Sequence, residues 1–376
     1  MRALHFAKYA FVRPGGMERH VEVLARGLAA AGVDVTVMVY DPSGVASLRA
    51  EDGVRVEPVQ PWLHLGSQAF APRLITQART LARERAFDIV HQHWPDPFAH
   101  VAATLVPGQP AHVASWHSDI VRQRVLGPLY LKLAPHLLRR PDVVVGATAA
   151  HLTSKQIDGF APPHRRLVIP YGIDTRSLEP TSELLRRAES LRARHGNRPM
   201  VFALGRHVYY KGFDVLIKAM AQVPAILVLG GEGPLTADLR KLAASSGAQV
   251  FFAGAIADED LPVYFHACDV YCLSSVERAE AFGIVQAEAM ACGKPVVNTC
   301  LHNGVNELAA KNVSALTVEP GNPAALATAL SKILSSPELA RRLGETGRLR
   351  IQKAFTTDLM IQKTLELYRT LLRTRG

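Results

Sequence analysis

The chain has 376 residues, 48% hydrophobic and 20% charged, an ordinary globular composition that excludes a disordered or fibrous protein. That length exceeds what one core usually serves and predicts two domains of roughly 150–200 residues each. The net charge of +10 raises nucleic acid as a partner, but no RNP, zinc-finger or basic-zipper pattern accompanies it, and that class is set aside.

The basic excess is mainly N-terminal, with 24 Lys and Arg against 17 Asp and Glu in residues 1–196 and 19 against 16 in the remainder. An anionic membrane surface or a phosphorylated substrate accounts for it, as does an arginine-rich coding bias. No run approaches the roughly 18 apolar residues of a membrane helix. The opening MRALHFAKYAFVRPGG is too short, and too interrupted by Lys8, for a signal peptide. Cys268, Cys272, Cys292 and Cys300 lack CxxC pairing and read as reduced thiols of a cytoplasmic protein.

In chain order, short apolar runs predict strands at 3–7, 33–40, 87–93, 111–117 and 141–147. Between them, 3.6-residue periodicity predicts helices such as Met17–Ala31 and Ala71–Ala86. This βαβ alternation argues for a parallel sheet covered by helices. The rhythm restarts with strands at 200–205, 225–231, 248–254, 268–274, 294–299 and 314–319. Between the two series, IPYGIDTRSLEP (169–180) has the Pro, Gly and Asp of an interdomain connection. The expected division is 1–180, 181–355, and a terminal helix at 356–376 with Leu359, Leu365, Tyr368 and Leu372 on its docking face. Two such doubly wound units place a ligand at the carboxyl ends of their strands, in a central cleft.

Several stretches carry chemistry. Gly15-Gly16 precedes the first helix, where glycine lets backbone approach a ligand and helix amides attract phosphate. There is no GxGxxG. ALGRHVYYKGF sets Arg206 and Lys211 just after a strand, placed to neutralise a diphosphate leaving group. VLGGEGPL (228–235) is a second glycine-rich strand exit, with Glu232 an exposed turn residue.

ERAEAFGIVQAEAM (277–290) contains Glu280 and Glu288. A glycosidase pair needs carboxyls roughly 5–9.5 Å apart, whereas eight residues of continuous helix separate backbones by about 12 Å. If a helix instead starts near Phe282-Gly283, Glu280 lies in the preceding loop. The amides of Phe282, Gly283, Ile284 and Val285 then fall between two hydroxyl acceptors, which suits a nucleotide sugar.

Taken together, Gly-Gly at the first helix, Arg206 with Lys211, and E-x7-E followed by MACGKPVV resemble the family 4 retaining glycosyltransferases, which have the GT-B fold. The resemblance spans nearly the whole chain. It implies that Arg206 and Lys211 hold the donor diphosphate, Glu288 the ribose, and Glu280 the transferred sugar. The amides of 282–285 would contact sugar and phosphate, Gly16 would border the diphosphate, and His117 would approach the sugar. Glu280, Arg206, Lys211 and His117 are therefore the expected catalytic set, with no metal and no cofactor beyond the nucleotide-sugar substrate. The mechanism implied is front-face displacement, in which the departing phosphate helps deprotonate the acceptor. WHSDIVRQ, YYKGF and SSVERAEAFGIVQ resemble bacterial mannosyltransferases of surface polysaccharide assembly. GDP-mannose is thus expected ahead of UDP-sugars, with a lipid-linked saccharide acceptor at the cytoplasmic membrane face. Another GT-B enzyme, such as a nucleotide-sugar epimerase, and a non-catalytic nucleotide-sugar binder are the alternatives.

HNGVNE (302–307) departs from the family's GG-x-x-E element and leaves the part of Glu307 open. Asp258-Glu259-Asp260 matches a metal-holding D-x-D but reads as acids opening a helix. His91 and His93, two apart on a strand, read as a strand-end polar pair because no third metal ligand is in view. Arg122 and Arg124 read equally as phosphate or lipid contacts and as a solvated helix face.

Overall fold

A computed structural model describes residues 1–8, 16–41, 53–65, 68–120 and 126–375. The chain forms two compact units, one from Met1–Gly172 with Thr357–Gly376, the other from Ile173–Thr356.

The first unit contains, in order, β1 (Arg2–Phe6), α1 (Gly16–Ala30), β2 (Asp34–Tyr40), β3 (Val54–Val59), β4 (Leu63–Leu65), β5 (Gln68–Phe70), α2 (Arg73–Glu84) and β6 (Ile89–Trp94). It continues with α3 (Pro97–Leu105), β7 (Ala111–Trp116), α4 (Leu126–Leu137), β8 (Val143–Gly146) and β9 (Arg166–Val168). Seven strands form one parallel sheet in the order β3-β2-β1-β6-β7-β8-β9, while β4 and β5 pair separately and antiparallel.

The central strands are buried on both faces, which is why they read as continuous apolar runs. The edge strand β3 (VRVEPV) lacks such a run, and its Pro58 is tolerated because an edge residue need not donate to a neighbour. Alternation divides the side chains between the faces. Leu4, Phe6, Met38 and Val90 pack with α2 and α3, whereas Ala3, Val35, Val37, Ile89, Ala111 and Val113 pack against α1. Asp96 begins α3 by accepting from the amides of Phe98 (3.0 Å) and Ala99 (3.2 Å), with Pro97 in the first turn.

In the second unit come α5 (Ser182–Arg194), β10 (Met200–Leu204), α6 (Phe213–Met220), β11 (Ile226–Gly230), α7 (Thr236–Ser246), β12 (Val250–Gly254), α8 (Leu261–Ala267) and β13 (Val270–Leu273). Then follow α9 (Ile284–Ala291), β14 (Val296–Thr299), α10 (Gly304–Leu308), β15 (Leu316–Val318), α11 (Pro323–Leu334) and α12 (Pro337–Ala354). Its six-stranded sheet has the order β12-β11-β10-β13-β14-β15, again parallel. Both sheets are the doubly wound α/β layers expected from the sequence.

The final helix, α13 (Thr357–Arg373), belongs to the first unit and packs on α1. Its buried face is Met360, Thr364, Leu367 and Tyr368. Leu365 and Leu372, expected there with Tyr368, are partly buried and pack against the same core, and Leu359 is partly buried. Tyr368 turns its hydroxyl onto His5 and His91 at the polar end of the sheet.

Candidate functional site

Strand order reverses at β10/β13 in the second sheet, since chain connections leave this point in opposite directions. A doubly wound sheet takes its ligand in a crevice outside the strand ends at such a point. Arg206 and Lys211 follow β10, while Ser274 to Gly283 follow β13. The crevice is thus lined by the stretches that carry the expected donor residues.

Two glycines shape the wall on the β10 side. Gly231 has φ +99, and a Cβ there would lie 2.1 Å from the Gly205 carbonyl oxygen. Gly212 has φ +62, and its Cβ would lie 2.2 Å from the Ser274 carbonyl oxygen. Backbone therefore packs directly on backbone at both places, drawing the 205–211 loop against the exits of β11 and β13. Glu232 is exposed beside this turn.

Lys211 reaches Glu280, with Nζ 2.5 Å from Oε2 and the side chains only 15% and 12% exposed. Burial alone would lower the lysine, but the Glu280 carboxylate outweighs it and holds Lys211 above its ordinary value. Ser275 Oγ donates to the same carboxylate oxygen at 3.1 Å, and Ser274 Oγ donates to the Lys211 carbonyl at 2.9 Å. Arg206 is exposed and makes no ion pair with a described residue.

Glu280 lies in the loop before α9, and Gly283 at φ +76 caps that helix, so the two glutamates are not on one helix. The first amides of a helix have no intrahelical acceptor, and here they fall between Glu280 and Glu288. Glu288 is 4% exposed on the second turn of α9. Phe282 is also buried, so the backbone at this position, and not the ring, is what the loop offers.

The HNGVNE loop holds this arrangement from below. Asn303 caps α10, its Oδ1 accepting from the Val305 amide at 3.1 Å, while its Nδ2 donates to the Glu280 carbonyl at 2.6 Å. Gln286 Nε2 donates to the Val305 carbonyl at 2.9 Å and ties α9 to α10. Sequence reasoning singled out Glu307 in this loop and missed Asn303. The signal available was an Asn two residues before a short apolar turn, the pattern of a helix cap.

In the first unit, Gly16 opens α1, while Gly15, Arg122 and Arg124 lie outside the described residues. His117 is 5% exposed, with Nδ1 bonded to the Tyr171 hydroxyl and Nε2 3.0 Å from His93 Nδ1. His91 and His93 are not an isolated pair. His5 on β1, His20 on α1 and His117 after β7 join them, a convergence from four segments that linear spacing does not display. The acids 258–260 precede α8 instead of forming its first turn, and Asp260 pairs with Arg187. All four cysteines are free thiols. No helix among the described residues is long and apolar enough to cross a membrane.

Two family models match. Residues 14–177 fit "Glycosyltransferase Family 4" and residues 188–350 fit "Glycosyl transferases group 1". The chain is 28% identical to O-antigen chain mannosyltransferase C of Escherichia coli over 100% of both chains. It is 31% identical to the D-rhamnosyltransferase WbpZ of Pseudomonas aeruginosa, over 95% of this chain and 92% of that one. A GDP-mannose-dependent alpha-(1-6)-phosphatidylinositol monomannoside mannosyltransferase of Mycobacterium tuberculosis is 28% identical over 95% of each. Among solved structures, HepE of Anabaena in complex with UDP superposes with a TM-score of 0.83 at 23% identity, covering 98% of this chain and 100% of that one. These neighbours share the two-domain GT-B architecture.

Proposed function

The chain belongs to glycosyltransferase family 4, and from that footing we propose a retaining mannosyltransferase that uses GDP-mannose and a lipid-linked saccharide acceptor. The observation that carries this reading is Lys211, buried against Glu280 at the β10/β13 crevice beside the start of α9. There a fixed ammonium, the Arg206 guanidinium and the α9 amides meet the charge that develops on a departing diphosphate. Diphosphate neutralisation then falls to these groups, without a metal ion. Glu280 accepts from hydroxyls of the transferred sugar and Glu288 from those of the ribose. The bond from the anomeric carbon to the diphosphate oxygen breaks as the acceptor oxygen attacks on the same face. The acceptor proton passes to the leaving phosphate.

Mannose is supported by the Escherichia coli and Mycobacterium tuberculosis relatives, both mannosyltransferases, and GDP-mannose by the second, which is GDP-mannose-dependent. A peripheral place at the cytoplasmic membrane face is supported by α4. It exposes Leu129, Leu133 and Leu137 at four-residue spacing beside Lys132 and Arg140, an amphipathic basic surface suited to anionic lipid.

A thermal-shift panel of GDP-, UDP- and ADP-sugars tests the donor. GDP-mannose at a hundredfold excess over its Kd is expected to add about 2.7 kcal/mol of stability. GDP release should then require a lipid-linked saccharide presented in anionic vesicles. Failure of every nucleotide sugar to stabilise the protein would sink the reading, and release without acceptor would point to an epimerase or hydrolase. In the same panel, Glu288→Ala should weaken donor binding by about 1.5–3 kcal/mol, the scale of hydrogen bonds to a charged group. Unchanged affinity would return Glu288 to a structural part in α9.

A further inference from the structure

The inner face of the first sheet is apolar along most of its length, but at the carboxyl ends of β1, β6 and β7 it ends in His5, His91, His93, Ser115 and His117. These side chains form one unbroken hydrogen-bonded series. Tyr171 meets His117 Nδ1, and His117 Nε2 lies 3.0 Å from His93 Nδ1. His93 Nε2 is 3.4 Å from His5 Nδ1, and His5 Nε2 is 3.1 Å from the Tyr368 hydroxyl. That hydroxyl is 2.6 Å from His91 Nδ1, and His91 Nε2 is 2.8 Å from Ser115 Oγ. His20 on α1 stands beside the series, 8% exposed, its Nδ1 buried without a hydrogen-bond partner among the described residues.

We propose that His20, His93 and His117 form a binding site for a divalent transition-metal cation of the zinc class. One ring nitrogen from each lies within 4.8 Å of the others. Zinc–nitrogen bonds of about 2.0–2.1 Å set ligand nitrogens about 3.3 Å apart in a tetrahedron, so the 3.0 Å separation of His93 Nδ1 and His117 Nε2 needs little adjustment.

Metal binding also gives every ring nitrogen in the series a defined part. His20 Nδ1 gains a partner. His117 Nδ1–H donates to Tyr171, and His93 Nε2–H donates to His5. From there the donors run His5 to Tyr368, Tyr368 to His91, and His91 to Ser115. Ligand imidazoles whose outer nitrogens are tied in this way are oriented and more basic. The competing trio of His5, His91 and His93 fits less well, because both nitrogens of His91 are bound to hydroxyls. A cavity of about 10 Å³, the size of one solvent molecule, adjoins the site and is lined by His20, His91, Ser115, His117 and Tyr171, but not by His93.

The test is Co²⁺ and Zn²⁺ titration of the full chain at pH 7.5 in a Cys300→Ser background, because Cys300 Sγ lies 3.5 Å from His302 Nε2 and could capture metal elsewhere. One equivalent of Co²⁺ should give visible bands of tetrahedral coordination, and Zn²⁺ should displace it. His20→Asn and His93→Asn should each lower affinity more than about tenfold, while His91→Asn retains it. Should His93→Asn fail to fold, His20→Asn, on a helix and not in the sheet, decides the matter. Absence of a one-to-one tetrahedral spectrum overturns the proposal. So does parental affinity in His20→Asn, or loss of binding in His91→Asn alone.

Discussion

Lys211→Ala is expected to lower kcat/KM by about 10²–10³-fold, the cost of removing one preorganised donor from a leaving-group site. The same change leaves the Glu280 carboxylate 12% exposed and without its cation. Removing one partner of a buried pair typically costs about 3–5 kcal/mol, so urea unfolding should shift as well. The two effects separate in the double variant Lys211→Ala/Glu280→Ala. Stability should return toward the parent because no uncompensated charge remains, while turnover stays low because the phosphate still lacks its ammonium. Lys211→Arg should keep the ion pair and recover only part of the rate, since a planar fork cannot occupy the place of a compact ammonium held by Glu280. If Lys211→Ala keeps parental kcat/KM, the lysine serves only to hold the loop and the diphosphate must be met elsewhere.

Mild acid should unfold the first unit. His112 is fully buried with no hydrogen-bond partner on either nitrogen among the described residues, His100 is bonded to Tyr130 and the Arg139 carbonyl, and His151 to Thr148. Burial lowers His100 and His151 from 6.5 to about 4 and His112 further. In the unfolded chain these groups protonate near 6.5, so between pH 6.5 and 4 the unfolded state binds more protons than the folded one. The stability they allow is therefore fully present above 6.5 and falls as pH drops. At pH 5 each costs about 2 kcal/mol and the three together about 6 kcal/mol. That is comparable with the whole stability of many domains. Denaturant melts followed by circular dichroism at pH 7.5, 6 and 5 measure this, and His112→Leu should move the acid midpoint down. Equal stability at pH 7.5 and 5 would show that the imidazoles reach water or an anion when charged.

The two parallel sheets were legible because strands buried on both faces must be apolar throughout, as in VDVTVMVY and AILVLGG. β3 was not, because an edge strand may carry Arg55, Glu57 and Pro58 without loss. β9, three residues long, is too short for any period to show. At the donor crevice, Gly283 announced where α9 begins and so separated Glu280 from Glu288. Asn303 was obscured because its contact is with a carbonyl 23 residues upstream, and no local pattern encodes such a pairing. The histidines posed the same difficulty on a larger scale. His91 and His93 are visible as a pair, but His5, His20 and His117 reach them only through the sheet order, which places β1 and β7 on either side of β6.

The return of α13 to the first unit bears on how the protein is made. Residues up to Gly172 leave the ribosome without Tyr368, whose hydroxyl closes the bond series between His5 and His91, and without Met360 and Leu367, which cover the sheet. Roughly 180 residues of the other unit must be synthesised first, a wait on the order of 10–40 s. The unit that emerges first is thus completed last, and the intervening unit can fold while its predecessor still has one face uncovered.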